Sequence, residues 1–418
     1  MIRVVSTGPL AAAVAVALLS PAAMAQAPLS VSRCDAATSE MLDASASAVP
    51  PAVQELRRRM LDADVNALTF HNMDEIFTTR TVPRGGAVWE LPSQTVPLAF
   101  TYAFGGQTWT PEEFLERTYT NALLVMKDGT ILAETYRNNT GPQTRFVSWS
   151  MAKSIASMMI GVALAEGRIR SLDDPITDYI PELSRAAYDG VTIRQIMQMR
   201  SGVDYEERYD FDNPGMAASN HINSLVLNLT RFADMACAVT RKTVPGEVFE
   251  YKTLDTAVLG WLVERATEMN AASYLASRIW EPLGAEADGF FIMDGPPGVG
   301  REFTGAGFNA TLRDYARLGQ MVLDDGVVNG RRILPEGWVA ESTAPSHPET
   351  AAGGYGLQWW TLADSNAFYA LGLQGQFIYI DPDSRTVVVK LSYFPPGDDS
   401  AAAAETLAFL QAASVWKP

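Results

Sequence analysis

One stretch of this chain restricts its fold more than any other. From Met151 to Ala165 the only ionisable side chain is Lys153, set among Ala, Ile, Met, Val and Leu, and Gly167 follows as a stop signal. A helix apolar on all sides has to be buried. An ammonium carried into a core without a partner is costly, so Lys153 needs a reason to be there. Ser150 stands three residues earlier. Positions i and i+3 of a helix share a face, about 5–6 Å apart at Cβ. A hydroxyl in the first turn would then face an amine able to take its proton, provided burial or cationic neighbours lower the amine pKa. The partial positive charge of the helix N-terminus favours an alkoxide or oxyanion there. The plainer reading of this short pattern is an N-cap serine followed by a surface lysine.

Strand signals lie on both sides of that helix. Residues 122–126 and 130–133 flank Lys127-Asp128-Gly129, where Asp-Gly supplies the positive-φ residues of a tight hairpin. Residues 376–380 and 386–392 flank Asp381-Pro382-Asp383-Ser384, a second hairpin signal. Between them, residues 172–300 read as mainly helical, with runs at 192–199 and 255–269; further helices are expected at 313–323 and 401–416. This pattern predicts an α+β fold: one antiparallel sheet flanked by helices, with an inserted mainly helical subdomain. Residues 26–115 read as an N-terminal extension wrapping the core, with a short amphipathic helix at 53–61 and an extended loop at 77–97, ahead of a main domain over 116–418.

Arg3, an apolar run over 10–19 and Ala23-Met24-Ala25 predict a signal peptide over 1–25, hence a periplasmic or secreted protein. Arg33 before Cys34 speaks against a lipid anchor, and no run of 18 apolar residues predicts stable membrane insertion. With 32 Lys+Arg against 48 Asp+Glu, a net charge of -16 makes a nucleic-acid partner poorly suited. Cys34 and Cys237 could form one disulfide or stay as two separately buried thiols, and the sequence leaves both open. No metal or other cofactor is expected, since neither C-x-x-C nor H-E-x-x-H occurs. The sequence leaves the oligomeric state undetermined.

Two further segments carry candidate chemistry. Tyr251, in Gly246-Glu247-Val248-Phe249-Glu250-Tyr251-Lys252-Thr253, ends an extended piece just before a helix. A phenol beside Lys⁺ can have its pKa lowered and relay a proton. Ala370-Leu371-Gly372-Leu373-Gln374-Gly375-Gln376 leads into a strand, and its glycines would let backbone approach a substrate and aim an N–H at an oxyanion. Alone, Tyr251 reads as a packed aromatic and the glycine segment as a turn. His71, His221 and His347 lie in no glycine-framed or acidic signature and read as structural.

Taken in order, these pieces resemble the serine β-lactamase/penicillin-recognising hydrolase superfamily, over roughly residues 115–418. The likeness is to its class C-like branch, which includes esterases and 6-aminohexanoate-dimer hydrolases. Residues 192–203, ending Arg200-Ser201-Gly202-Val203, are similar to a shared helix and Ser-Gly end. So are Gly305-Ala306-Gly307 with Thr311, and Tyr355-Gly356-Leu357-Gln358-Trp359-Trp360. The resemblance implies a β-lactamase-like fold and roles for several residues. Ser150 would be the acylated nucleophile, Lys153 its proton acceptor and Tyr251 the proton shuttle. The N–H groups of Ser150 and Leu373 would form the oxyanion hole, and Tyr209, Gly372 and Thr253 would contact substrate.

Two departures stand out. Thr253 holds the third place of a motif that is usually Tyr-x-Asn, and Ala370-Leu371-Gly372 stands where the family has a basic residue, Thr and Gly. The missing cation and hydroxyl normally help hold a β-lactam carboxylate. The expected activity is therefore cleavage of a small-molecule amide or ester through an acyl-enzyme. A β-lactamase or D,D-peptidase is the alternative, and a non-catalytic peptide or cell-wall binding protein is the alternative of another class.

Overall fold

The computed structural model describes residues 34, 47–296, 298–346, 353–396 and 399–418. The segment expected as a signal peptide and His347 lie outside the described residues. Eleven strands frame the site: β1 (Thr79–Val82), β2 (Thr120–Lys127), β3 (Thr130–Tyr136), β4 (Arg145–Val147), β5 (Gly289–Ile292), β6 (Phe308–Thr311), β7 (Gly354–Tyr355), β8 (Trp360–Thr361), β9 (Phe368–Gly372), β10 (Gln376–Asp381) and β11 (Thr386–Ser392). Five helices matter to the argument: α1 (Pro51–Arg59), α2 (Met151–Ala165), α3 (Thr253–Thr267), α4 (Leu312–Leu323) and α5 (Asp399–Val415).

The expected hairpins form. Asp128 and Gly129 turn at φ 46° and 75°, joining β2 to β3, and β10 pairs with β11. The last strand, β11, then pairs with β2, so distant segments close one antiparallel sheet of order β7-β8-β9-β10-β11-β2-β3. Side chains alternate across its faces. Leu124, Met126, Ile378, Ile380, Val387 and Val389 join the main core. Leu123, Val125, Phe377, Tyr379 and Val388 turn the other way, onto Phe409, Leu410, Ala413 and Trp416 of the C-terminal helix region and Phe114. The fold is α+β, as expected.

Two expectations need correction. A second sheet is present, of order β1-β5-β6-β4, where one sheet was expected. Its strands β1 and β5 fall in segments read as loop and as mainly helical. Both are only four residues long, too short for alternation to declare itself, and β5 is buried at every position. This small sheet has a clear purpose: β4 pairs with β6 and delivers the chain into α2.

The N-terminal segment is fastened to the rest. Arg57 of α1 is buried and donates to the carbonyls of Ile76 and Leu225 and to Asn228 Oδ1. Asn66 is fully buried and donates to Gln374 Oε1 at 3.0 Å and to the Phe394 carbonyl at 3.0 Å. Cys34 and Cys237 are bonded, with Cα atoms 6.0 Å apart across a sequence separation of 203, which resolves the question the sequence left open. Among the described residues no helix is long and apolar enough to cross a membrane. Replacing both cysteines (Cys34→Ser with Cys237→Ser) should lower the unfolding free energy by about 2–4 kcal/mol, measured by denaturant unfolding of variant and parent.

Candidate active site

The chain leaves β4 through a strained turn. Val147 N–H bonds the Phe70 carbonyl at 2.9 Å and Ser148 N–H the Phe308 carbonyl at 2.7 Å, which pins the backbone on both sides. Trp149 then takes φ 42°, a left-handed conformation that a bulky residue adopts only when its surroundings force it. Ser150 follows at the first turn of α2. It occupies the N-cap position, yet its side chain makes no capping bond. The plain reading as cap and surface lysine therefore fails twice, because Lys153 is 1% exposed.

Lys153 Nζ lies 2.9 Å from Ser150 Oγ, 3.0 Å from Thr253 Oγ1 and 2.8 Å from the Gly305 carbonyl. Burial pushes its pKa down to about 8, opposed by the charge of Glu207. Tyr251 is brought to the same place: its ring centroid is 4.9 Å from Lys153 Nζ, and its hydroxyl has a hydrogen-bonding interaction with Ser150. The expected direction of its pKa is overturned. Burial dominates and pushes the phenol up, with Glu207 adding to the rise. Tyr251 keeps its hydroxyl proton here, and its ring makes a near-parallel contact with Trp360 at 5.6 Å.

Thr253, first residue of α3, is the hub of the polar contacts. Its hydroxyl donates to Glu207 Oε1 at 2.5 Å, and its N–H donates to Glu207 Oε2 at 2.9 Å. Tyr209 donates its hydroxyl to Glu207 Oε1 at 2.6 Å and lies 3.3 Å from Thr253 Oγ1. Glu207 was not among the residues singled out from the sequence. It sits in the run Glu206-Glu207-Arg208-Tyr209-Asp210, whose charge density reads as solvated surface.

Gly372 ends β9 beside the strained turn. A Cβ there would stand 2.2 Å from the Ser148 carbonyl oxygen, so only glycine lets this strand approach the backbone ahead of Ser150 so closely. Leu373 follows, then Gln374 and Gly375 at φ 55° and 96°. Gln374 Nε2 donates to the Leu61 carbonyl at 2.8 Å, completing a clamp with Asn66.

Ser150, Tyr251, Thr253, Tyr209, Gly372 and Leu373 all border one cavity of about 290 Å³. The other walls are mostly apolar, with Leu61, Trp149, Phe303, Trp360 and Leu371. Glu207 and His221 also border it. All the candidate residues from the sequence thus converge, with Lys153 directly behind Ser150. Among the described residues, no group of three or more His, Cys, Asp and Glu side chains is arranged to hold a metal ion.

Comparison with known proteins matches residues 112–413 to the family model Beta-lactamase. The 6-aminohexanoate-dimer hydrolase of Paenarthrobacter ureafaciens is 32% identical over 354 residues, covering 81% of this chain and 88% of that protein. Esterase EstB of Burkholderia gladioli is 29% identical over 157 residues, 35% of this chain and 38% of that protein. Among solved structures, a Bacillus anthracis protein provisionally described as a 6-aminohexanoate-dimer hydrolase is similar with a TM-score of 0.76 and 25% identity, covering 85% of this chain and 96% of that one. The hydrolase EstCE1 is similar in fold, with a TM-score of 0.57 and 17% identity over 72% of this chain and 96% of that one.

The Gly372→Ala variant should lose about 1–3 kcal/mol of stability, because the added methyl must push either β9 or the Ser148 backbone aside. Urea unfolding of the variant against the parent measures it.

Proposed function

Because the chain belongs to the Beta-lactamase family and is a serine hydrolase of it, we propose that it cleaves a small-molecule amide or ester through an acyl-enzyme on Ser150. The observation that carries this reading is the set of three neighbours around Lys153 Nζ. A neutral amine has two N–H donors and one lone pair. The Gly305 carbonyl can only accept, so it takes one N–H. The Thr253 hydroxyl spends its proton on Glu207, so its oxygen accepts the second. The lone pair is left for Ser150 Oγ–H.

In this mechanism Ser150 Oγ attacks the substrate carbonyl carbon as its proton moves to Lys153 Nζ. The N–H groups of Ser150 and Leu373 receive the developing oxyanion, favoured by the N-terminus of α2. When the intermediate collapses, the scissile bond breaks and the leaving group takes a proton relayed by the Tyr251 hydroxyl. Water then attacks the acyl-enzyme, with the same groups accepting its proton, and Ser150 is regenerated. Thr253, Gly372 and Tyr209 line the substrate's path.

The cavity's charge argues for the substrate class. Its one bordering charged side chain is Glu207, an acid, and no arginine or lysine borders it among the described residues. A β-lactam carboxylate would find no cation there, which disfavours the β-lactamase and D,D-peptidase readings. Amide or ester cleavage also accords with the named activities of the relatives. The filled nucleophile, amine and phenol positions speak against a purely binding protein. We also propose a periplasmic or secreted location. The Cys34–Cys237 disulfide supports an oxidising compartment.

Ser150→Ala should abolish both the burst and the steady turnover of a p-nitrophenyl ester, measured by stopped-flow absorbance; turnover at the parental rate would remove the nucleophile assignment. The pH profile provides a second test. Lys153 must be unprotonated to act, and its pKa stands at about 8. Acylation should therefore rise about tenfold per pH unit below that value, reach half its maximum near pH 8 and level off above it. A profile flat from pH 6 to 9 would exclude Lys153 as the base.

A further inference from the structure

Residues 66–70 reach both sides of the reacting centre from a segment that holds none of the reacting groups. Asn66 opens a single helical turn, Asn66–Thr69, and lies ahead of residues 112–413, the part matched by the family model. It is fully buried. Its Nδ2 donates to Gln374 Oε1 and to the Phe394 carbonyl, both at 3.0 Å, and lies 3.3 Å from the Tyr393 carbonyl. Carbonyls only accept, so the amide is fixed this way round. The orientation of the Gln374 amide follows, with Nε2 donating to the Leu61 carbonyl at 2.8 Å. Both ends of that amide are therefore held by the segment 61–66.

The turn so held is the one that carries Leu373, which borders the cavity. Gln374 stands at φ 55°, a left-handed conformation that a residue with a side chain seldom takes without restraint. Its carbonyl receives the Phe394 N–H at 3.1 Å, and a Cβ on Gly375 would stand 2.4 Å from the Phe394 ring. Asn66 thus reaches the turn by two routes, directly through Gln374 and indirectly through Phe394. On the opposite side the same helical turn leads into Phe70. The Phe70 carbonyl receives the Val147 N–H at 2.9 Å, and its ring meets Trp149 edge-on at 5.3 Å, against the strained turn into Ser150. One short stretch braces the two backbone segments whose N–H groups must meet at one oxygen. An oxyanion hole needs its donors about 2.7–3.1 Å from that oxygen, and a displacement of about 1 Å can cost about a hundredfold in rate.

Resting on the acyl-enzyme reading above, we propose that Asn66 is a positioning residue for the oxyanion hole: through Gln374 it holds the Leu373 N–H in register with the N–H of Ser150. The extension then contributes to the rate without touching the substrate's reacting atoms.

The test compares acylation by a p-nitrophenyl ester and by its thionoester, read from the burst in stopped-flow absorbance. Sulfur is a weak hydrogen-bond acceptor, so a well-placed hole favours the ester. Asn66→Leu keeps the approximate size of the side chain and removes its donors; Gln374→Met does the same at the other end of the contact. Each should slow ester acylation about ten- to hundredfold, with the substrate dissociation constant within about twofold of the parent. The preference for ester over thionoester should shrink about fivefold or more. The midpoint of the acylation pH profile should stay near 8, because neither variant alters a side chain around Lys153. Unchanged ester acylation overturns the proposal, and so does a midpoint displaced by about one pH unit or more. Equal slowing of ester and thionoester also overturns it, since that marks a merely structural role. If Asn66→Leu does not fold, the Gln374→Met values decide. Failure of the hydrolase reading would show separately, as ester turnover that survives Ser150→Ala.

Discussion

The site depends on how an amine can be made to lose its proton more easily inside a protein core. Lys153 is enclosed on an apolar helix, and removing its charged form from water is the largest influence on its pKa. Three oxygens then surround Nζ at 2.8–3.0 Å, so the group is buried without being left unpaired. Only one of those oxygens carries a proton it is free to give. The identity of the acceptors, a carbonyl and a hydroxyl already committed to Glu207, selects which neighbour meets the lone pair. Strain at Trp149 serves the same end by turning β4 sharply into α2, which brings Ser150 to the cavity wall while Lys153 stays beneath it.

Much of this was legible beforehand, and the reasons are specific. A lone lysine in a run of small and apolar residues had to be buried, and a serine three residues earlier had to share its face. The strands β2, β10 and β11 were readable because they are long and bounded by turn residues. Legibility failed where the signal depended on surroundings. The four-residue strands β1 and β5 are shorter than the window in which a period of two can be told from chance. The phenol of Tyr251 was expected to be acidified by Lys153, yet burial is the largest influence on both groups, and the burial that lowers one pKa raises the other. Glu207 was hidden by its own neighbours, since four of the five residues from 206 to 210 are charged. Among the described residues, only the folded chain shows that the second of them turns toward Thr253.

The segment before residue 115 read as a wrapping extension, and its part in the site could not be inferred from composition. Leu61 borders the cavity, and its carbonyl receives Gln374 Nε2 while Asn66 donates to Gln374 Oε1. Gln374 sits at φ 55° between Leu373 and Gly375, in the turn that follows β9. Such a turn is a poor holder of position on its own. A buried two-way clamp from a segment more than 300 residues away in sequence restrains it. Arg57 does the same for the region of Leu225 and Asn228, just beyond the helix that ends in His221. The extension therefore braces two separate walls of one cavity.

The placement of Glu207 completes the electrostatic argument. A carboxylate in direct contact with Lys153 would form a buried ion pair and hold the amine protonated, which would oppose the role of base proposed for it. With no carboxylate nearby, the Thr253 hydroxyl would have no fixed acceptor, and could offer its proton to the lysine lone pair instead. The fold adopts the arrangement between these extremes. Glu207 bonds both the N–H and the hydroxyl of Thr253, and Thr253 stands between it and Lys153 Nζ. The acid raises the lysine pKa only through space, and burial outweighs it. Threonine suits this place because a single hydroxyl can give its proton to one neighbour and its lone pair to the other. An asparagine, the usual occupant in related motifs, would divide those duties between two atoms and would not couple the orientation of the lysine so directly to the carboxylate.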